Sequence, residues 1–227
     1  MYVGKAAKKV KALIIASGNS INQTSVVDYV SRNPSKDLAI LVTDRSLAFV
    51  LSRGITPPKF PKFYTCIQEN LITQAGEDLM PGFLYHNIIF KNAKNITLFY
   101  SQLLKENRVQ IIHDLAFKAV KFNRCGKGPG AGPVIRTCGN NGVALLQIAR
   151  RFLMFDKIGF IGLDLDESTS WISYAGTPIV DNMLKFSKAQ IVEDFLEFNK
   201  SYYSLTRLGR LHGKGIKETI ISEFLGK

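Results

Sequence analysis

The predicted fold rests on residues 11 to 54, which read KALIIASGNSINQTSVVDYVSRNPSKDLAILVTDRSLAFVLSRG. Two short runs in this stretch, KALIIAS and DLAILVT, are apolar at nearly every position, as strands are when both faces of a parallel sheet are buried. The segment after each run carries apolar residues at helical spacing, and Gly54 is placed to end the second helix in a left-handed conformation. The stretch therefore predicts the order strand, helix, strand, helix.

The same alternation continues along the chain. Further apolar runs, each predicted to be a strand, occupy residues 62–68, 95–100, 108–114 and 157–165. Amphipathic patterns predict helices over residues 140–155 and 178–205. Strands that alternate with helices favour an α/β fold of the Rossmann-like, doubly wound type, with a mostly parallel sheet and helices on both of its faces.

Length and composition are those of an ordinary globular protein. The 227 residues, 46% of them hydrophobic, predict a single domain over residues 1–227. Two less regular segments are interpreted as a flap or insertion (residues 76–92) and a flexible glycine-rich loop or lid (residues 126–133). The apolar run near the N-terminus is too short for a signal peptide or a membrane span, so we expect a cytoplasmic protein with no transmembrane segment.

The net charge of +12 favours an anionic partner, which leaves a nucleotide, a nucleic acid and an acidic membrane surface open. The basic residues are spread along the chain in small groups, and the sequence matches no nucleic-acid-binding signature, which argues against nucleic acid. The three cysteines are far apart and lack a CxxC pair, so neither a disulfide framework nor a zinc site is predicted.

Ligands of open α/β sheets bind outside the carboxyl ends of the strands, so polar residues at those ends are the site candidates. The first strand runs into Gly18, Asn19 and Ser20, a turn that opens a helix and presents backbone N–H groups suited to a phosphate. The alternative is that Ser20 is an ordinary N-cap after a glycine turn. The turn has neither the full GxGxxG fingerprint nor a P-loop motif.

Three carboxylates follow predicted strands in the same way. Asp44 follows the second strand, Glu69 the third and Asp164 the strand that begins at Lys157. At these positions a carboxylate is placed to contact a ribose, a metal or an acceptor, and we take the three as candidate catalytic residues. Asp44 is equally well explained as the cap of its helix.

Several segments taken in order resemble one protein family. They are IIASGNS, LVTDRSLAFVLSRGITPPKF, FYTCIQE, TCGNNGVALLQIARRFLMFDKIGFIGLDL and LTRLGRLHGKGIKETIISEFL. This order is similar to the family that contains bacterial motility accessory factors and archaeal 6-hydroxymethyl-dihydropterin diphosphokinases. The motility-factor branch is in turn similar in its core to bacterial sialyltransferases that use a CMP-linked donor.

The resemblance implies a nucleotide-dependent transferase, with a glycosyltransferase-like enzyme and a CMP-type sugar donor as the leading hypothesis. It also implies that Gly139, Asn140, Asn141 and Gly142 form a second backbone nest, facing the turn at Gly18 and binding the nucleotide. The acceptor, whether a surface glycan, a protein or a pterin, and the oligomeric state are left open.

Two alternatives remain at this point. One is an ATP-dependent diphosphokinase that acts on 6-hydroxymethyl-dihydropterin and requires Mg²⁺. The sequence TCIQE at residues 65–69 has one carboxylate where that enzyme has two, which weakens this alternative because the metal is held by carboxylates. The other alternative is a nucleotide-binding protein that has the fold without the catalysis.

Overall fold

The computed structural model describes residues 10–22, 24–67, 95–101, 117–122, 135, 141–164, 202–205 and 216–226. Eight strands lie within these residues: β1 (Lys11–Ile15), β2 (Leu38–Thr43), β3 (Phe63–Ile67), β4 (Ile96–Ser101), β5 (Phe117–Phe122), β6 (Lys157–Ile161), β7 (Tyr202–Ser204) and β8 (Ile216–Glu218). The helices are α1 (Thr24–Arg32), α2 (Asp44–Ser52), α3 (Asn141–Gln147) and α4 (Ile221–Leu225). A 3₁₀ turn spans Asn19–Asn22, and a π-helical turn at Ile148–Phe152 continues α3.

The eight strands form one sheet in the order β5-β4-β3-β2-β1-β6-β7-β8, and every neighbouring pair is parallel. The chain therefore starts at β1, builds outward on one side to β5, and returns to place β6 on the free side of β1. The prediction of a Rossmann-like, doubly wound α/β fold is confirmed. The point at which the strand order reverses lies between β1 and β6, and ligands of such sheets bind outside the carboxyl ends there.

Both faces of the central strands β1, β2 and β6 are buried, as the apolar runs predicted. In β1, Leu13 and Ile15 face one hydrophobic cluster while Ala12 and Ile14 face the other, because side chains alternate along a strand. Helices α1, α2 and α4 supply the first cluster, and α3 supplies the second. Each fully buried large apolar side chain contributes about 1.5–3 kcal/mol, so the packing of these two layers stabilises the sheet.

Helix α2 ends at a glycine in the left-handed conformation, as predicted from the sequence. Gly54 has φ +80°, and its N–H donates to the carbonyl of Leu51 while Ile55 N–H donates to Val50. These two hydrogen bonds are those of a Schellman motif, in which a left-handed residue satisfies the last carbonyls of the helix. The chain then turns back through residues 55–62 into β3.

Helix α4 packs against the amino ends of the central strands. Phe224 is fully buried, and its ring packs directly on Gly159. A Cβ added to Gly159 would lie only 2.9 Å from the nearest atom of that ring. Lys157 donates to the Phe224 carbonyl at 2.8 Å, and Lys11 donates to the carbonyl of Leu225. Cations at a helix C-terminus stabilise its exposed carbonyls, so the two lysines hold α4 on the face opposite α3.

Three strands and one helix were not predicted from the sequence: β5, β7, β8 and α4. The predicted helix over residues 178–205 is wrong at its end, because Tyr202–Ser204 pairs with β6 as a strand. Its earlier part, the predicted strand at residues 108–114, the flap at 76–92 and the loop at 126–133 lie outside the described residues. In the part of the chain that is described, no helix is long and apolar enough to cross a membrane.

Candidate functional site

The turns that follow β1 and β6 are joined to each other by backbone hydrogen bonds at the switch point. Ala16 N–H donates to the carbonyl of Ile161 at 2.9 Å, and Gly18 N–H donates to the carbonyl of Gly162 at 2.7 Å. The hydrogen bonds between β1 and β6 thus continue beyond the end of β1, into the turn that was predicted from the sequence to bind a phosphate. The N–H of Gly18 is engaged inside the protein.

Both glycines at this junction are required by close backbone approach. Gly162 has φ +74°, and a Cβ there would overlap the carbonyl oxygen of Ala16 and lie 2.7 Å from its carbonyl carbon. A Cβ on Gly18 would lie 2.5 Å from the carbonyl oxygen of Gly162 and 2.6 Å from Oδ2 of Asp164. The two turns therefore pass each other too closely for any side chain.

Asp164 and Ser20 form a buried hydrogen-bonded pair across this junction. The Ser20 N–H donates to Oδ2 of Asp164 at 2.7 Å, and the Ser20 hydroxyl donates to Oδ1. The same hydroxyl accepts the N–H of Gly162 at 2.8 Å. Ser20 is fully buried and Asp164 is 5% exposed. We call Ser20, Gly162 and Asp164, with these three bonds, the switch-point latch.

The latch changes the interpretation of Ser20. The residue lies inside the 3₁₀ turn at Asn19–Asn22, and α1 begins only at Thr24, so Ser20 is not the N-cap of that helix. The backbone N–H of Ser20, the type of group expected to hold a phosphate, instead donates to the Asp164 carboxylate. A carboxylate that belongs to the protein accepts the hydrogen bonds that this serine offers.

A second polar contact lies at the carboxyl ends of β2 and β3. Nδ2 of Asn141, the first residue of α3, donates to Oδ1 of Asp44 at 2.6 Å. Asp44 is 3% exposed and is the first residue of α2, whose N-cap is Thr43. The interpretation of Asp44 as the N-cap is therefore wrong, although its charge still suits the N-terminal end of a helix.

Cys66, near the end of β3, lies beside this pair. Its thiol donates to the backbone carbonyl of Asn141 at 3.4 Å, and the side chain is fully buried. Burial raises the pKa of the Cys66 thiol well above its ordinary value of 9.0, and the nearby negative charge of Asp44 raises it further. The thiol is thus neutral and unreactive in the folded protein at physiological pH.

The raised pKa of Cys66 predicts a pH dependence of stability. Above pH 9 the thiol ionises in the unfolded chain but stays protonated in the fold, so the free energy of unfolding falls as pH rises. The loss approaches about 1.4 kcal/mol per pH unit from this group. Urea unfolding of wild type and Cys66→Ala between pH 7 and 10.5 measures this loss as the difference in unfolding free energy between the two proteins. The pKa values of Lys11 and Tyr64 are also shifted, but both residues are present in both proteins, so their contributions cancel. Parallel pH profiles for the two proteins would contradict the prediction.

The structure brings the predicted site residues together in two groups. Gly18, Ser20 and Asp164 meet at the latch, and Asp44 meets Asn141 at the start of α3, where Gly142 is buried. The backbone of Asn19 forms the start of the 3₁₀ turn. Three predicted site residues lie outside the described part of the chain: Glu69, Gly139 and Asn140. Whether any of these residues binds a nucleotide or takes part in catalysis stays a prediction.

Sequence reasoning missed the roles of Gly162 and Cys66. Gly162 stands two residues before Asp164 and directly after an apolar strand, and a glycine in that place signals close backbone approach. Cys66 gave no such signal, because a single buried cysteine in a strand looks like any small apolar residue. Only the packing of α3 over β3 shows its contact with Asn141.

Comparisons with known proteins bear on the fold of this chain. No protein-family model matches the sequence, and no curated protein matches it. A solved structure, the MAf glycosyltransferase from Magnetospirillum magneticum AMB-1, matches 93% of this chain with a TM-score of 0.64 and 14% sequence identity. The chain spans about a third, 33%, of that protein's length. At this identity the likeness shows a shared fold: the chain has the α/β architecture found in part of that glycosyltransferase.

Proposed function

We propose that this chain is a glycosyltransferase-like enzyme that uses a nucleotide-activated sugar donor. The observation that carries the proposal is the group of polar residues at the carboxyl ends of the central strands, next to the switch point. The fold that holds them is shared with a glycosyltransferase over 93% of the chain. The latch and the Asp44–Asn141 pair lie at the carboxyl ends of β1, β6 and β2, where ligands of open α/β sheets bind.

The donor that we propose is of the CMP type. This choice rests on the motifs quoted from the sequence, which resemble the motility-factor branch. In such a transfer, the bond between the anomeric carbon and the donor phosphate oxygen breaks, and CMP leaves with the bonding electrons. A hydroxyl oxygen of the acceptor forms the new bond to the anomeric carbon and gives up its proton. The rate enhancement comes mainly from orienting the acceptor and stabilising the departing nucleotide.

The carboxylates predicted from the sequence differ in what they offer to this reaction. Both oxygens of Asp164 accept hydrogen bonds from Ser20, which supports a positioning role for Asp164 in the turn after β1. Asp44 likewise holds the amide of Asn141. The base that takes the acceptor proton is therefore sought first at Glu69, the remaining predicted carboxylate.

Ligand-induced stabilisation tests the proposal directly. CMP at about 100 times its Kd is expected to raise the Tm by roughly 5 to 10 °C, since binding to the folded state alone contributes about 2.7 kcal/mol. The measurement is a thermal unfolding series with CMP, UMP and ATP plus Mg²⁺, followed by an assay for CMP release from a CMP-linked sugar. Stabilisation by ATP plus Mg²⁺ alone would instead support the diphosphokinase. CMP binding without donor turnover or transfer would leave a nucleotide-binding protein without catalysis.

A further inference from the structure

Asn141 carries a buried hydrogen-bond acceptor that the protein does not use. Its side-chain oxygen Oδ1 has essentially no solvent contact and has no hydrogen-bond partner among the described residues. The residue as a whole is partly exposed, so the side chain lies at the margin of the fold rather than in its centre. Native proteins leave few buried polar atoms unpaired, and an unpaired one marks the place of a missing water, ion or ligand.

The orientation of this amide is fixed by its neighbour. A carboxylate only accepts hydrogen bonds, so the contact of 2.6 Å with Asp44 requires that the nitrogen of Asn141 faces it. The oxygen must then face the other way. The backbone carbonyl of Asn141 is held as well, because it accepts the Cys66 thiol. The unpaired oxygen is therefore held in one defined position.

The chemistry of this position selects a donor of hydrogen bonds. A nucleotide phosphate at pH 8 is fully ionised and offers acceptors only, and the buried carboxylate of Asp44 repels it. At the switch-point latch, the Asp164 carboxylate already accepts the Ser20 hydrogen bonds that an anion would need. Within the described residues, both groups thus present acceptors and negative charge, which suit hydroxyl groups.

We propose that Oδ1 of Asn141 accepts a hydrogen bond from a ribose hydroxyl of the nucleotide, and that Asp44 positions it for this contact. The proposal rests on the proposed function and deepens it: the Asn141 side chain recognises the ribose, and the phosphate binds elsewhere. The ribose is the part of a nucleotide with two neighbouring hydroxyl donors. The carboxyl end of β2, where Asp44 lies, is also where ribose hydroxyls bind in sheets of this type.

Titration calorimetry with CMP and its 2′-deoxy and 3′-deoxy analogues tests the assignment. Wild type is expected to bind CMP about tenfold more tightly than at least one deoxy analogue, since that analogue lacks the hydroxyl that would donate to the buried acceptor. In Asn141→Ala, CMP binding should weaken about tenfold and the preference over that analogue should disappear. Asn33→Ala is the matched control and should behave as wild type, because Asn33 lies at the end of α1, where its amide donates to the Tyr29 carbonyl.

A second variant guards against loss of folding at Asn141. Asp44→Asn keeps the side-chain volume but can donate as well as accept, so the amide of Asn141 is free to turn over. We expect this variant to melt near the wild type and to lose several-fold of the preference for CMP. If wild type does not distinguish CMP from either deoxy analogue, or if both site variants keep the preference, the assignment is overturned while the proposed function stands. If folded wild type binds no CMP, both are overturned.

Discussion

Replacing Gly162 with alanine is expected to destabilise the protein by about 4 kcal/mol. An alanine at φ +74° costs roughly 1–2 kcal/mol in backbone strain. Its Cβ would also overlap the carbonyl oxygen of Ala16, and relieving that contact requires β1 and β6 to separate at the site. Overpacking of this kind costs about 1–3 kcal/mol more, because the clash is with backbone and not with a flexible side chain. Urea unfolding followed by circular dichroism measures the loss.

Gly54→Ala is the matched control for this prediction. Gly54 has nearly the same φ, +80°, but the atoms nearest to its Cβ position are the side-chain ends of Ser31 and Lys59 at 3.2 and 3.4 Å. The control therefore carries the strain of the left-handed conformation with little steric conflict, and should lose only about 1–2 kcal/mol. Equal losses for the two variants would mean that the close passage of the two turns contributes nothing.

Asp164→Ala is expected to destabilise the fold by about 3–4 kcal/mol. The substitution removes two charge-assisted hydrogen bonds and leaves the N–H and hydroxyl of Ser20 to find other partners in a buried site. Ser20→Ala should lose about 2–3 kcal/mol, because it removes the two hydrogen bonds of the hydroxyl, one donated to Asp164 and one accepted from the Gly162 N–H. The backbone N–H of residue 20 keeps its bond to Asp164. Urea unfolding at pH 7 gives both values.

A double-mutant cycle separates the latch from the general cost of each substitution. If Ser20 and Asp164 act as a unit, the double variant loses less than the sum of the single variants, with a coupling energy of at least about 1.5 kcal/mol. Asp44→Asn with Ser20→Ala is the comparison cycle, since these residues belong to different groups at the edge of the sheet and should be nearly additive. Additive losses for Ser20 and Asp164 would show that the hydrogen bond between their side chains does not stabilise the fold.

The latch also bears on the proposed transfer. It joins the turn after β1 to the end of β6 through the close approach of two glycines and the buried side chain of Asp164. Catalysis by orientation needs a backbone held in place at the site, because a displacement of about 1 Å costs a large part of the rate. A loss of activity in Asp164 variants is therefore expected from misplaced backbone, without a direct role for the carboxylate in proton transfer.

The elements that sequence reasoning found are those with strong local patterns. Strands β1, β2 and β6 are buried on both faces and appear as continuous apolar runs, and Gly54 ends α2 as its position indicated. Strand β5 was missed because FKAVKF carries lysines at Lys118 and Lys121, which is typical of an edge strand and weakens its apolar signal. Strands β7 and β8 have three residues each, too few for any periodicity to show.

The sequence by itself determined the α/β class, the central strands and the strand ends at which polar residues collect. The tertiary structure alone decided which of those polar residues meet. Ser20 and Asp164 are 144 positions apart and become partners only because β6 returns to lie beside β1. Asp44 and Asn141, 97 positions apart, meet because α3 packs across β1, β2 and β3. Periodicity reports how one segment is buried, whereas a hydrogen bond between distant side chains depends on the order of strands in the sheet, which no local pattern contains.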